Sequence, residues 1–336
     1  MSTRRFRIVL TLFVSLITCV SVSAERNLVR TPGTTRYQPM MNRLRALVHE
    51  SQTAGPIRMR LEDIGHSVEG RTIWLVTIWN STVDPGAERR IFYLCRQHGH
   101  EPASTEGALA FMTELVEAPP NSPWSDCLQH AVVYIVPMAN PDGAEHFLRH
   151  NAHDVDLNRD WLKQTQPETR ALVSAINEIH PDVMTDQHEL YPNDRRNDFT
   201  ETAGIDGGAS ASVANMCDDL SAVVGLGMAC DNDSVRPVFD NDHNLPRLAH
   251  RYASLVAGVP AILFETNRLT GSGRSVAMRA EAQEHFMENV LRVVGGERAE
   301  ILAEAQSKGI LGSPAAQSAP VGAPAPVPGD GENEGL

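Results

Sequence analysis

The chain has 336 residues, 42% of them hydrophobic, with a formal net charge of −13. That is enough apolar material for one large or two small buried cores. An acidic surface of this size repels phosphate backbones, so nucleic acid is excluded as an expected partner.

The N-terminal stretch stands apart. Arg4, Arg5 and Arg7 precede the apolar run "IVLTLFVSLITCVSV", and "SVSA" ends on small residues. A basic start, a short apolar centre and a small-residue exit predict a cleavable export signal over 1–24, a secreted or periplasmic protein, and no stable membrane span once the signal is removed. Losing its three positive charges takes the remainder from −13 to −16. Cys95, Cys127, Cys217 and Cys230 then remain. An even count permits two disulfides in an oxidising compartment, with the pairing open, and no CxxC motif points to thiol chemistry.

From Glu25 to Lys308 strand-like and helix-like segments alternate. "RYQPMMNRLRALVHESQ" has helical apolar spacing, and "IRMRLEDIG" and "TIWLVTIW" read as paired strands joined through "HSVEGR". "RIFYLC" is a short buried strand, followed by the helix "TEGALAFMTELVE" with Ser104 as its cap. "AVVYIVPM" is another buried strand, ending in the turn "NPDG". "PETRALVSAINEIH" is a helix leading into the strand "PDVMTDQH". "LAHRYASLVAG" precedes the strand "PAILFE", and "SVAMRAEAQEHFMENVLRVV" closes as a long amphipathic helix. The alternation predicts a single three-layer α/β/α domain over 25–308, built on a mixed, mostly parallel twisted sheet. The segment 309–336 is rich in Pro, Ala and Gly and predicts a disordered tail.

Ligands of such sheets gather at the carboxyl ends of strands. That rule sorts the three HxxE pairs, His66/Glu69, His98/Glu101 and His285/Glu288. About one such match is expected by chance with this many histidines. His66/Glu69 enters a strand, the wrong end, and His285/Glu288 sits on a helix as a solvated polar face. His98/Glu101 follows "RIFYLC", where either a polar turn or a metal site belongs. A catalytic zinc takes three protein ligands and keeps one position open. His188, closing "PDVMTDQH", stands where a third ligand would come from a second strand end. Arg149, Asp156, Asn158 and Arg159 crowd behind the strand "AVVYIVPM", and guanidinium groups suit carboxylate recognition. Glu265 ends "PAILFE" and either caps a strand in solvent or projects into the same cleft as a base.

Taken together and in order, "IGHSVEGRTIWLVTI", "QHGHEP" with its trailing "TEGAL", Arg149, "DLNRDW", "DQHEL" and "ILFET" resemble the zinc metallocarboxypeptidases of the pancreatic carboxypeptidase superfamily, in their shorter bacterial form. The resemblance runs from Tyr37 to the final helix. It implies one Zn²⁺ per chain held by His98, Glu101 and His188, with Asp156 orienting the first histidine. It further implies Arg149 as the group that polarises the scissile carbonyl, Asn158 and Arg159 as the grip on a substrate's terminal carboxylate, and Glu265 as general base. The expected partner is a peptide with a free C-terminal carboxylate, cell-wall peptides included. His100 stands where the family often has an arginine, and the substrate-capping tyrosine has no assigned counterpart, Tyr252 being placed on a buried helix and Tyr191 just beyond His188. The pocket walls fall to "NDRRNDFTETAGIDGG" and "SVRPVFDNDHNLPRL", with Arg195, Arg196 or Arg268 as candidate basic residues for acidic side chains. Two other readings share these residues: a deacylase or amidase of the succinylglutamate desuccinylase and aspartoacylase type, and a noncatalytic zinc module that binds peptide termini.

Overall fold

The computed structural model describes residues 35–311, apart from 54, 84, 85, 87, 206, 234, 241–245 and 270–272. The expected signal and the expected tail beyond 311 lie outside the described residues. Helix α1 (Tyr37–Ser51) leads into the antiparallel pair β1 (Ile57–His66) and β2 (Thr72–Asn80). Strand β3 (Arg89–Cys95), α2 (Ala103–Glu117), α3 (Pro123–Cys127), β4 (Ala131–Val136) and α4 (Pro141–His146) follow. Next come α5 (Pro167–Ile179), β5 (Val183–Glu189), β6 (Phe199–Ala203), α6 (Ala211–Cys230) and β7 (Arg236–Asp240). Helix α7 (Ala249–Tyr252) continues as a wider turn over Ala253–Ala257, and β8 (Ala261–Thr266), α8 (Val276–Val294) and α9 (Arg298–Ser307) complete the chain.

Among the described residues there are eight strands in one sheet, in the order β1-β2-β4-β3-β5-β8-β6-β7. The run β4-β3-β5-β8 is parallel, β2 and β6 attach to it antiparallel, and β7 pairs parallel with β6. Side chains alternate across each strand. Ile91, Tyr93 and Cys95 of β3 face a core filled by α1, α2, α6 and α8, whereas Phe92 and Leu94 face a second core under α5 and α7. Helices therefore cover both faces of a mixed sheet, which is the three-layer arrangement expected. Phe264 of β8 stacks on Phe286 of α8 with ring centroids 4.3 Å apart, locking the end of β8 to its covering helix. Burying two such rings contributes about 2–3 kcal/mol each.

Several local expectations change. Ser104 does not cap α2, which starts at Ala103; its Oγ instead accepts the N–H of Arg96 at 3.1 Å. The "NPDG" turn is the opening of α4, with Asn140 as N-cap accepting from the Gly143 N–H at 2.8 Å. His285 and Glu288 do not form a solvated face: both are half-buried, and His285 Nδ1 meets Asp233 at 2.6 Å because α6 ends against α8 here. The four cysteines are free and buried, so the permitted disulfides do not form. Gly309 to Leu311, assigned to the tail, fold back on α9, where the N–H groups of Ile310 and Leu311 donate to Ala305 O. Helix α6 is long and apolar enough to cross a membrane by length and composition, and more than half of it is buried inside the fold.

Candidate metal centre and active site

Because β4, β3, β5 and β8 run parallel, their carboxyl ends open on one edge of the sheet. The turn after β3 is set by two residues. Arg96 is fully buried with φ of 57°, and its Nε donates to Gly99 O at 3.0 Å. Gly99 packs against α4 so closely that an added Cβ would lie 1.9 Å from the Gly143 carbonyl carbon. The turn is thereby drawn back and both His98 and Glu101 are brought against His188.

His98 Nδ1 lies 2.9 Å from Glu101 Oε1, His188 Nδ1 lies 3.0 Å from Glu101 Oε2, and the two Nδ1 atoms are 3.0 Å apart. All three side chains are buried, and together they form a group able to hold a metal ion. The outer nitrogen of each imidazole faces a carboxylate: His98 Nε2 is 3.1 Å from Asp156 Oδ1, and His188 Nε2 is 2.9 Å from Asp186 Oδ1. That leaves the inner nitrogens free to donate lone pairs to one centre. A tetrahedral zinc with bonds of 2.0–2.1 Å holds its ligands about 3.3 Å apart, so a small adjustment of these separations accommodates the ion. Two imidazoles and one carboxylate match the protein donor set of a catalytic zinc, which takes water as its fourth ligand.

Charge alternates tightly around this centre. Burial disfavours the charge on Glu101, but His98 and His188 outweigh it and hold the carboxyl well below its usual range. Burial likewise opposes charge on His188, yet Asp186 and Glu101 raise its pKa well above the ordinary value. Asp156 is buried too, and is still pushed below its usual range by His98, Arg149 and Arg159.

Arg149 donates through Nε to Asp156 Oδ2 at 3.0 Å, and its Nη1 reaches within 3.3 Å of His98 Nδ1. Its guanidinium carbon sits 5.0 Å from the ring centre of Tyr191, which is half exposed at the cleft mouth. Asn158 is fixed by the Ala249 N–H, which donates to its Oδ1 at 2.8 Å, and this turns its Nδ2 toward His188 Nε2 at 3.0 Å. Arg159 is half-buried and donates to the Asn158 carbonyl at 3.0 Å. Glu265 is the register partner of His188 on one side and of Phe199 on the other. Its Oε2 is sealed from solvent without a hydrogen-bond partner. Burial lifts its pKa to about 8; Glu101 and Asp186 add to the rise, while His188 and Arg196 oppose it.

Every candidate site residue thus falls at this edge of the sheet, and two residues not singled out join them. Asp186 lies two positions before His188 on the same strand face, a period-2 signal visible in "DQH". Gln97 donates from Nε2 to Asp186 Oδ1 at 2.6 Å and accepts the Trp161 indole N–H at 2.7 Å. One side chain therefore joins "QHGHE", "DLNRDW" and "DQHE". The "HSVEGR" connection also acquires a structural reason. Ser67 Oγ, the Glu69 N–H and Arg71 Nη1 all donate to buried Asp142 at the start of α4. His66 meets Asp63 at 3.6 Å and takes no part in the centre. Of the candidate basic pocket residues, Arg196 is bonded to Asp194, and Arg268 to Leu190 O and His100.

Residues 44–190 match the family model described as zinc carboxypeptidase. Carboxypeptidase SOL1 of Arabidopsis thaliana is 32% identical over 131 residues, which are 36% of this chain and 27% of that protein. Carboxypeptidase 2 of Trichophyton rubrum is 29% identical over 166 residues, 48% of this chain and 29% of that protein. The chain thus spans less than a third of the length of these two curated relatives. In fold it is similar to a metallo-carboxypeptidase from Burkholderia cenocepacia, with a TM-score of 0.60 at 20% identity, covering 75% of this chain and 68% of that one. The likeness to zinc carboxypeptidases is carried by residues 44–190, a little under half of the chain.

Proposed function

We propose that the protein is a zinc-dependent exopeptidase that hydrolyses the C-terminal amide bond of peptides. One juxtaposition carries the reading: three buried donor atoms converge beside Glu265, whose Oε2 is buried, partnerless and one strand away from His188. Zinc held by His98, Glu101 and His188 would supply a Lewis acid and bring the pKa of a water at its open position toward neutrality. In its carboxylate form Glu265 takes the proton of the attacking water and passes it to the leaving amine nitrogen. Arg149, anchored by Asp156, offers Nη1 to the carbonyl oxygen as charge develops on it. Asn158 and Arg159 hold the terminal carboxylate, which fixes the last amide bond over the reacting groups and makes removal proceed from the chain end. Asn158 suits that task because Ala249 fixes its amide orientation. The Arg4–Ala24 pattern supports a reaction outside the cytoplasm, with peptides of the cell wall among the candidate substrates.

The test is Glu265→Gln. Hydrolysis should fall by about 10²–10⁴-fold, the contribution of a general base, while stoichiometric zinc is retained. Unchanged turnover would remove Glu265 from the role. Exclusive turnover of an N-acylamino acid in place of a free-ended dipeptide would favour the deacylase reading, and zinc-dependent peptide binding with no cleavage would favour a binding module.

A further inference from the structure

Asp186 is completely buried on β5, and nothing in the proposed chemistry uses it. Its Oδ1 lies 2.9 Å from His188 Nε2 and accepts from Gln97 Nε2 at 2.6 Å. Its Oδ2 accepts no hydrogen bond and faces His250 Nδ1 at 3.9 Å, a buried atom that likewise makes none. His250 is held from behind by Glu201, at 3.1 Å from Nε2. A buried carboxylate is retained at a cost unless its charge is met. Here the group that meets it is a ring whose other nitrogen points at the metal centre.

His188 Nε2 has competing neighbours. The amide nitrogens of Asn158 and Gln97 stand 3.0 and 3.4 Å away. A donor amide would favour the tautomer with the proton on Nδ1, which cannot ligate through that atom. A carboxylate favours a proton on Nε2 and an Nδ1 lone pair aimed inward, and an ionised acceptor makes the stronger hydrogen bond. We propose that Asp186 is a positioning residue that decides this competition. It holds His188 in the Nε2–H tautomer and raises the basicity of Nδ1, as Asp156 does for His98 from the other side of the centre. The inference rests on the zinc reading of the site and adds that the site carries two such carboxylates, one per imidazole.

The experiment measures zinc affinity of the full chain by chelator competition for wild type, Asp186→Asn and Glu265→Gln, with histidine ring ¹⁵N spectra of the zinc-bound wild type. Asp186→Asn keeps the shape but removes the charge, and should weaken zinc binding by about 10–100-fold. Glu265→Gln should leave the affinity unchanged. The wild-type spectrum should show His188 bound through Nδ1 with its proton on Nε2. Wild-type zinc affinity in Asp186→Asn overturns the inference, and so does a His188 proton on Nδ1. The spectrum decides the question even where Asp186→Asn does not fold. A wild-type chain that takes up no zinc overturns the proposed function, and this inference with it; zinc uptake with an indifferent Asp186 overturns this inference alone.

Discussion

A methyl group is too large for position 99. The Cβ of Gly99→Ala would meet the backbone of α4 at 1.9 Å, and α4 is itself anchored by the Asn140 cap and by Asp142. Backbone cannot yield as a flexible side chain can, so either the ligand turn or α4 must move. We expect Gly99→Ala to cost at least about 1–3 kcal/mol, the usual range of overpacked cores, and to lose zinc binding together with thermal stability. Calorimetry and metal analysis of the one variant check both; a stable variant with full zinc content contradicts the role of the turn. At this scale the sequence is informative where a residue type meets a strand end: boundaries and spacing make candidates of His98, Glu101, His188 and Glu265. The family resemblance supplies their expected roles. Asp186 and Gln97 could not be singled out, because one looks like ordinary strand polarity and the other like turn polarity until β3 and β5 are paired. Their meaning is tertiary.

The corner where α6 ends against α8 titrates. His285 is bonded to Asp233, which raises its pKa to about 9. Glu288, one turn along α8, is lifted to about 8 by burial first and then by Glu284. The raised histidine contributes stability that is full below its ordinary value of 6.5 and is lost as pH rises through about 9. The raised glutamate is neutral in the folded chain, and the cost of ionising it accumulates from 4.5 to about 8. Both effects lower stability on the alkaline side. Melting temperature should therefore drop between about pH 6.5 and 9, and less so in Asp233→Asn, which removes the partner of His285. An equal drop in the variant contradicts this account. Spacing along α8 says nothing about what packs across it, so His285 and Glu288 look like a solvated face in sequence alone. Helix α6 is not legible there either. That helix is apolar almost throughout, so no 3.6-residue stripe marks it, and it is buried on more than one side. The strands β6 and β7 escaped because "FTETA" and "RPVFD" mix polar and apolar residues, and their identity depends on pairing with β8 and with each other.

Across the whole molecule, four strand ends build one centre. His98 and Glu101 follow β3, Arg149 and Asn158 follow β4, His188 closes β5 and Glu265 closes β8. No contiguous stretch of chain holds all three donors, so the centre exists only when the parallel part of the sheet is assembled. The alternation of strands and helices made that sheet legible in outline, since parallel strands must be joined by crossovers. The strand order around β8 was not legible, because it depends on β6 and β7. The claim on which the rest depends is that this assembled edge removes residues from free chain ends with zinc in place. The most direct measurement is mass spectrometry of a peptide pool containing free, C-terminally amidated and cell-wall-derived members, incubated with the protein with and without chelator. We expect single-residue losses from the C-termini of free peptides, none from their amidated counterparts, and none after chelation. Equal cleavage of amidated peptides, or cleavage that survives removal of the metal, would contradict it.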